Sequence, residues 1–393
     1  MPEFELARRI KDLPPYLFAG IDRKIAEAKK RGVDIISLGI GDPDQPTPKF
    51  IIKALAEAAK DPSTHQYPSY QGSMDFREAA GEFMARRFGA ALDPATEIIT
   101  LIGSKEGIAH FPLAFINPGD LAICCSPGYP VGKTAVGFAG GEVYEAKLTK
   151  SGKWLPDLRK IPDDVAHRAK LIYLCYPSNP TGATATSEFF SELVSWAHKT
   201  RTIIMTDCAY SEIYYDEAEK PLSIFETPGA KDVAIEFHSL SKTFNMTGWR
   251  IGWAAGNDQL IAGLGKVKTN VDSGAFNAIQ RAGAIALRSD FKSVEKMRRI
   301  YKRRRSLAMQ GIKQIGAKAA KPKAGFFVWA EIPEGFDSDA AFADFCIEKA
   351  GVVVTPGSGF GEAGTGYFRI ALTVDLDRME TAFSRIEKAL ASR

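Results

Sequence analysis

The sequence predicts an α/β fold: a large domain on a mostly parallel sheet flanked by helices, plus a smaller α+β domain. Three observations predict it. From about residue 50 to about 270, short apolar runs alternate with helical patterns, as in a parallel sheet covered on both faces. After Val271 the pattern changes to a long helical stretch, then to strands set between helices. The 393 residues, 45% hydrophobic and 25% charged, have a globular balance and enough length to bury a sizeable core. The expected domains are 46–280 (large) and 1–45 with 281–393 (small, with the N-terminal arm packed on it).

The elements follow in order. Pro14-Pro15-Tyr16-Leu17-Phe18 reads as an extended arm. A helix spaced through Ile21, Ile25 and Ala28 stops at Gly32. Ile35-Ile36-Ser37-Leu38-Gly39 reads as a strand entering the proline-rich loop 41–48. Apolar runs predict strands at 97–101, 121–124, 170–174, 202–205 and 233–237, with another at 251–255. Helical spacing covers 189–198 between two of them, and 271–315 beyond the last. The tail has strands at 325–329, 351–355 and 367–371, then a helix over 379–390. No repeat or low-complexity segment stands out.

Composition narrows the function classes. A net charge of +4 is too small to imply nucleic acid or a membrane surface as partner. The densest basic cluster, Lys302-Arg303-Arg304-Arg305, follows Met297-Arg298-Arg299 in a helical pattern with Ile300 and Leu307 on one face. It reads as a solvated helix face. Cys124, Cys125, Cys175, Cys208 and Cys346 are odd in number, with no Cys-x-x-Cys pair or histidine at metal spacing. They read as buried thiols in a reducing compartment, and no metal site is expected. The N-terminus is acidic and unlike a secretory signal, and no apolar run spans a bilayer. A soluble cytoplasmic protein is the expectation.

The most informative local feature is Ser239-Leu240-Ser241-Lys242, followed by Gly248-Trp249-Arg250. An amine condenses with an aldehyde, while hydroxyls and a guanidinium hold a phosphate. Pyridoxal phosphate carries both groups. Lys242 follows an expected strand, and open sheets bind ligands at strand ends. The competing reading is a surface lysine among turn-forming serines, because short motifs also arise by chance.

Upstream residues match the cofactor's other demands. Asp207, at another strand end, can keep a pyridine nitrogen protonated, since a nearby negative charge favours the charged form. It reads otherwise as a turn or helix-capping aspartate. The Tyr210 hydroxyl and the Asn179 amide can bond the ring oxygen; the Asn179-Pro180-Thr181-Gly182 turn is compatible with that. Gly103-Ser104-Lys105-Glu106-Gly107 opens a helix, where backbone amides favour phosphate, and Ser239, Ser241 and Arg250 would complete the site. Tyr129 can stack on the ring, or be a core tyrosine. Arg369 lies in an apolar strand, where a charge is costly unless paired. Its fork suits a substrate carboxylate or an internal salt bridge.

Jointly these segments resemble the class I and II aminotransferases, the fold-type I family of pyridoxal-phosphate enzymes. The match runs essentially the whole chain. It includes Tyr67-Pro68-Ser69-Tyr70-Gln71-Gly72, Gly103-Ser104, Pro127-Gly128-Tyr129-Pro130, Asn179-Pro180-Thr181-Gly182, Asp207-x-x-Tyr210, Ser239-x-Ser241-Lys242, Gly248-Trp249-Arg250 and Phe368-Arg369. The resemblance implies transamination with Lys242 as the catalytic residue. It implies a homodimer in which Tyr67 reaches the phosphate in the neighbouring site, and Arg369 on the substrate α-carboxylate.

Further segments are similar to a branch of the family that acts on diaminopimelate with 2-oxoglutarate as acceptor. They are Pro14 to Phe18, Leu38-Gly39-Ile40-Gly41-Asp42, His65 to Tyr70, Ile102 to Gly107, Glu236 to Thr243 and Lys266 to Gly274. That resemblance implies Tyr16, Gly41 and Lys105 at the substrate, with Tyr129 and Asn179 beside them. Cys208 and Thr206 depart from the family pattern without touching the expected cofactor contacts. Diaminopimelate is zwitterionic at both ends, so its far end needs limited charge, which Lys105 and Tyr16 can offer. A cation in the first turn of a helix is electrostatically misplaced, which favours a role for Lys105. The alternatives are an alanine, aspartate or aromatic aminotransferase, a carbon–sulfur lyase of the same fold, and a pyridoxal-phosphate-binding regulator. The last lacks support, because aminotransferase-like sequence begins near residue 10.

Overall fold

The structure, a computed structural model, describes residues 4–11, 13, 24–28 and 30–393. The expected arm at 14–18, with Tyr16, and Ile21 of the first helix lie outside the described residues. The strands are β1 (Ile36–Ser37), β2 (Ile98–Leu101), β3 (Leu121–Ser126), β4 (Glu142–Lys147), β5 (Ala169–Cys175), β6 (Ile203–Asp207), β7 (Ala234–Ser239) and β8 (Gly252–Gly256). They continue with β9 (Lys318–Ala319), β10 (Phe327–Glu331), β11 (Val352–Val353), β12 (Thr355–Pro356) and β13 (Tyr367–Ala371).

Seven strands form one sheet in the order β2-β8-β7-β6-β5-β3-β4. β3, β4, β5, β6 and β7 are mutually parallel, while β8 is antiparallel to both neighbours. Alternate side chains enter different cores, as a pleated strand requires. Leu171 and Tyr173 join Phe111, Val136 and Leu264 on one face. Ile172 and Leu174 join Phe190, Leu193 and Ala197 on the other. Helices Ser104–Phe115 and Asp258–Val271 cover the first face, and Ser187–Thr200 the second.

The C-terminal part is built on a four-stranded antiparallel sheet, β12-β13-β10-β9. Helices Lys292–Gln314 and Leu376–Ala391 pack beside it through Tyr301, Ala308, Ile312, Met379 and Phe383. Gly311 permits that contact, because an added Cβ would lie 2.2 Å from the Phe383 ring. β1 pairs in parallel with β11, so the segment before the proline-rich loop lies against C-terminal chain.

Local pattern misled at four places. β4 was not expected. It is an edge strand carrying Glu142, Glu145 and Lys147, charges suited to an unpaired edge but unlike a buried apolar run. The run 351–355 divides between two sheets as β11 and β12. The stretch 271–315 breaks into helices Asn277–Leu287 and Lys292–Gln314, with Phe291 at φ 57° in the break. The basic cluster is not a uniformly solvated face. Lys302 and Arg303 are exposed, but Arg304 and Arg305 are buried. Arg304 forks onto Asp44 with two bonds of 2.7 Å, and Arg305 donates to the Pro322 carbonyl at 2.7 Å. Four of the five cysteines are buried, Cys125 is partly exposed, and all are free thiols.

Candidate active site

Five parallel-running strands deliver functional residues to one edge of the large sheet. Gly103 and Ser104 follow β2, Tyr129 follows β3, Asn179 follows β5, Asp207 ends β6 and Ser239 ends β7. β8 runs the opposite way, so the residue near its start, Arg250, reaches the same edge. Ser104, Lys105, Tyr129, Asn179, Asp207, Tyr210, Ser239, Ser241, Lys242 and Arg250 line one pocket of about 150 Å³. Ala209 and Thr247 also line it, and neither was expected.

Lys242 sits in the short helix Leu240–Thr243, directly after β7. Its side chain keeps some exposure, yet its amine is nearly enclosed. Burial pushes the amine down from 10.5 to about 8, against the pull of Asp42. Nζ donates to the Gly41 carbonyl at 3.0 Å, which joins Gly41 to the site although it does not line the pocket. An added Cβ at Gly41 would lie 2.6 Å from the Phe327 ring, so the loop passes too close for a side chain.

Asp207 is 3% exposed, and burial pushes its carboxyl up from 3.8 to about 6. Its Oδ1 accepts the Ala209 amide at 3.1 Å, and the Cys175 thiol lies 3.9 Å from Oδ2. Tyr210 is also buried, which pushes its hydroxyl up and keeps it a donor. Its ring meets Phe326 and Phe327 edge-on.

Arg369 is 1% exposed in β13. Nη1 donates to Asn179 Oδ1 at 2.7 Å and Nη2 to the Gly39 carbonyl at 2.6 Å, while the guanidinium lies 4.2 Å from the Phe327 ring centroid. A guanidinium only donates, so Asn179 must turn its carbonyl oxygen to Arg369, leaving its NH₂ as the group for another partner. Burial pushes Arg369 down to about 10.

The anion-binding side is assembled from three segments. Gly103 caps helix Ser104–Phe115 with φ 77°, a conformation glycine adopts without strain. A Cβ there would lie 2.2 Å from Arg250 Nη2, so a side chain at this position would displace the guanidinium from its present place. Arg250 donates to the Thr247 carbonyl at 2.8 Å, and at 3.4 Å to both Ser241 Oγ and the Ile102 carbonyl. Ser239 Oγ accepts the Ser241 amide at 3.1 Å.

Two expected residues stand apart. Tyr67 is 88% exposed and does not line the pocket of its own chain. Tyr16 lies outside the described residues. The donor set fits pyridoxal phosphate: an enclosed amine of lowered basicity, a buried acid and an open-backbone cradle beside an arginine share one pocket. Sequence reading takes Arg304 for part of a solvated helix face and gives Asp44 and Lys268 no role of their own, whereas Arg304 forks onto Asp44 and Lys268 bonds Glu106. The available signal was a basic residue on the apolar face of a helix.

Comparison with known proteins agrees. The profile of the family "Aminotransferase class I and II" matches residues 33–386. The chain is similar to an LL-diaminopimelate aminotransferase of Maridesulfovibrio salexigens, 58% identical over 99% of this chain and 100% of that protein. It is similar to one of Aquifex aeolicus, 54% identical over 98% and 99%. A solved substrate-bound BacF from Bacillus subtilis superposes with a TM-score of 0.94 at 38% identity, covering 98% of each chain.

Proposed function

The chain belongs to the class I and II aminotransferases and is a pyridoxal-phosphate-dependent enzyme of fold type I; from that premise we propose that its amino donor is LL-2,6-diaminopimelate and its acceptor 2-oxoglutarate. The products are then glutamate and a keto acid that cyclises to tetrahydrodipicolinate, a step of lysine biosynthesis. The observation that carries the substrate assignment is the 58% identity to a protein of that activity over 99% of the chain. Lys105 supports it: an exposed cation at the pocket, in the first turn of helix Ser104–Phe115, suited to a second carboxylate.

When bound, the cofactor supplies an electrophilic carbon and a ring that takes up electron density from the substrate. The protein's part is positioning and proton movement. Arg369 takes the α-carboxylate, with Asn179 Oδ1 fixing the guanidinium's orientation. Lys242 Nζ removes the proton from the substrate α-carbon. Its basicity, lowered to about 8, keeps part of the amine neutral near physiological pH. Asp207 contributes negative charge toward the ring nitrogen, and Tyr210 with the Asn179 NH₂ donates toward the ring oxygen. Gly103, Ser104, Ser239, Ser241 and Arg250 would hold the phosphate, and Tyr129 would offer its ring to the cofactor's. At the far end Lys105 acts with Tyr16 and the Gly41 backbone.

The working unit under this reading is a homodimer in which the exposed Tyr67 completes the neighbouring site. The large domain spans 46–280, and 1–45 with 281–393 form the small one. The enzyme works in the cytoplasm; no helix among the described residues is long and apolar enough to cross a membrane. Separate addition of LL-diaminopimelate, its meso isomer, aspartate and alanine to the purified enzyme tests the assignment. Bleaching of the visible cofactor band by the LL isomer at the lowest concentration is the expected result. A response only to aspartate or alanine would remove the substrate assignment and leave the reaction class.

A further inference from the structure

Lys268 is a cation with no exposed surface, on helix Asp258–Val271, which carries none of the residues assigned to the site. A buried ammonium is costly unless fully paired. Here it is paired twice: Nζ donates to Glu106 Oε2 at 3.0 Å and to Asp272 Oδ2 at 3.0 Å. Glu106 lies in the first turn of helix Ser104–Phe115, whose start forms the phosphate cradle. The same Oε2 that accepts from Lys268 accepts the Ile102 backbone amide at 2.9 Å. The Ile102 carbonyl in turn accepts from Arg250 at 3.4 Å, and the next residue is Gly103. His110 holds the other oxygen of Glu106, with Nδ1 at 2.7 Å from Oε1. Asp272 is anchored by the Gly274 amide at 2.8 Å.

We infer that Lys268 is a positioning residue for the cofactor phosphate: its ammonium fixes Glu106, and Glu106 fixes the Ile102-Gly103-Ser104 turn against Arg250. Without it, the Glu106 carboxylate loses the cation that holds it against the Ile102 amide. The turn is then free to shift relative to the guanidinium. The ligand atoms of Glu106, His110 and Asp272 lie within 4.8 Å of one another, a spacing that also suits a metal ion. The ammonium already bonds both carboxylates, so Lys268 is the resident cation.

The inference rests on the phosphate cradle proposed above, and the test separates the two. Full-length protein stripped of cofactor is titrated with pyridoxal phosphate and with pyridoxal, which lacks the phosphate, following visible absorbance. The ratio of the two affinities isolates the phosphate contribution. Lys268→Met is expected to lower that ratio by about tenfold or more, the size of one charge-assisted hydrogen bond lost at an anion site. Glu106→Gln keeps the side chain's shape and is expected to lower it less; it carries the test if Lys268→Met fails to fold. Arg250→Met is the reference. If Arg250→Met lowers the ratio and the Lys268 and Glu106 variants leave it unchanged, the inference is overturned while the cradle stands. If Arg250→Met leaves it unchanged, the cradle reading fails first. A fall in the ratio of the wild-type protein on chelation would make the bridging cation a metal and overturn the role of Lys268.

Discussion

Asp207→Asn is expected to stabilise the cofactor-stripped protein while damaging the enzyme. Burial raises the Asp207 carboxyl from 3.8 to about 6, so the folded chain holds a proton there that the unfolded chain has already released. A group raised in this way contributes stability that is fully present below 3.8 and is lost as the pH rises through about 6. At about 1.4 kcal/mol for each tenfold change, the loss approaches roughly 3 kcal/mol above about pH 7 and is roughly half that near pH 5. Asparagine is nearly isosteric, carries no charge and keeps an oxygen for the Ala209 amide, which now bonds Oδ1 at 3.1 Å. Urea unfolding of stripped wild type and variant at about pH 7.5 and pH 5 reads the difference. The variant should be more stable by up to about 3 kcal/mol at the higher pH, with the gap shrinking at the lower. In the loaded enzyme the same change removes charge aimed at the ring nitrogen, and turnover should fall on the order of a hundredfold or more. A stripped variant no more stable than wild type at pH 7.5, or a gap that ignores pH, would refute the claim that Asp207 is held uncomfortably as an ion.

Three further outcomes are expected. Lys242→Ala should abolish turnover and the visible absorbance of the purified protein; a variant keeping both removes Lys242 from the chemistry. Lys105→Ala should raise KM for diaminopimelate much more than for 2-oxoglutarate, and equal effects in steady-state assays would argue against a far-end role. Arg304→Met should cost about 3 kcal/mol in urea unfolding, because it leaves Asp44 without the fork that holds it by two 2.7 Å bonds. Arg304→Lys should recover only part of that, since one ammonium cannot span both oxygens.

The fold was legible where side chains alone decide it. β2, β3, β5, β6 and β8 are largely apolar and almost wholly buried, and β7 shows Ala234, Ile235 and Phe237 although it also buries Glu236 and His238, so local pattern is enough to mark them. β4 was missed because an edge strand needs apolar residues on little of its surface. The site residues were legible for a related reason. Asn179, Asp207 and Lys242 each follow an apolar run directly, so strand prediction and ligand placement are one inference. Arg304 and Lys268 were not legible. Their partners, Asp44 and Glu106, lie 260 and 162 residues away, and composition cannot tell a solvated cation from one buried on a distant carboxylate. The basic cluster at 302–305 read as surface because two of its four residues are surface.

Direction of charge perturbation marks the site only together with shared location: burial also pushes Arg305 and Glu226 of the scaffold toward their neutral forms, but neither lines the pocket. Asp34 is a scaffold carboxylate, held well below the ordinary range by bonds from Arg378 and Arg385. In the pocket the trend reverses. Burial pushes Asp207 up to about 6, Lys242 down to about 8 and Arg369 down to about 10, each toward its neutral form. Buried pairs that cross-link the fold, such as Lys268 with Glu106 and Arg304 with Asp44, set opposite charges at contact distance. Asp207 and Lys242 attract one another, but less than burial opposes their charges, and all three groups lie in or against one pocket. Such perturbation marks groups matched to a ligand rather than to the protein. A partner able to relieve all three must bring a cationic nitrogen for Asp207, a carboxylate for Arg369 and a carbonyl carbon for the amine of Lys242. No single small metabolite carries that set. A pyridinium aldehyde together with an amino or keto acid does, which is why the electrostatics call for a cofactor and a substrate at once.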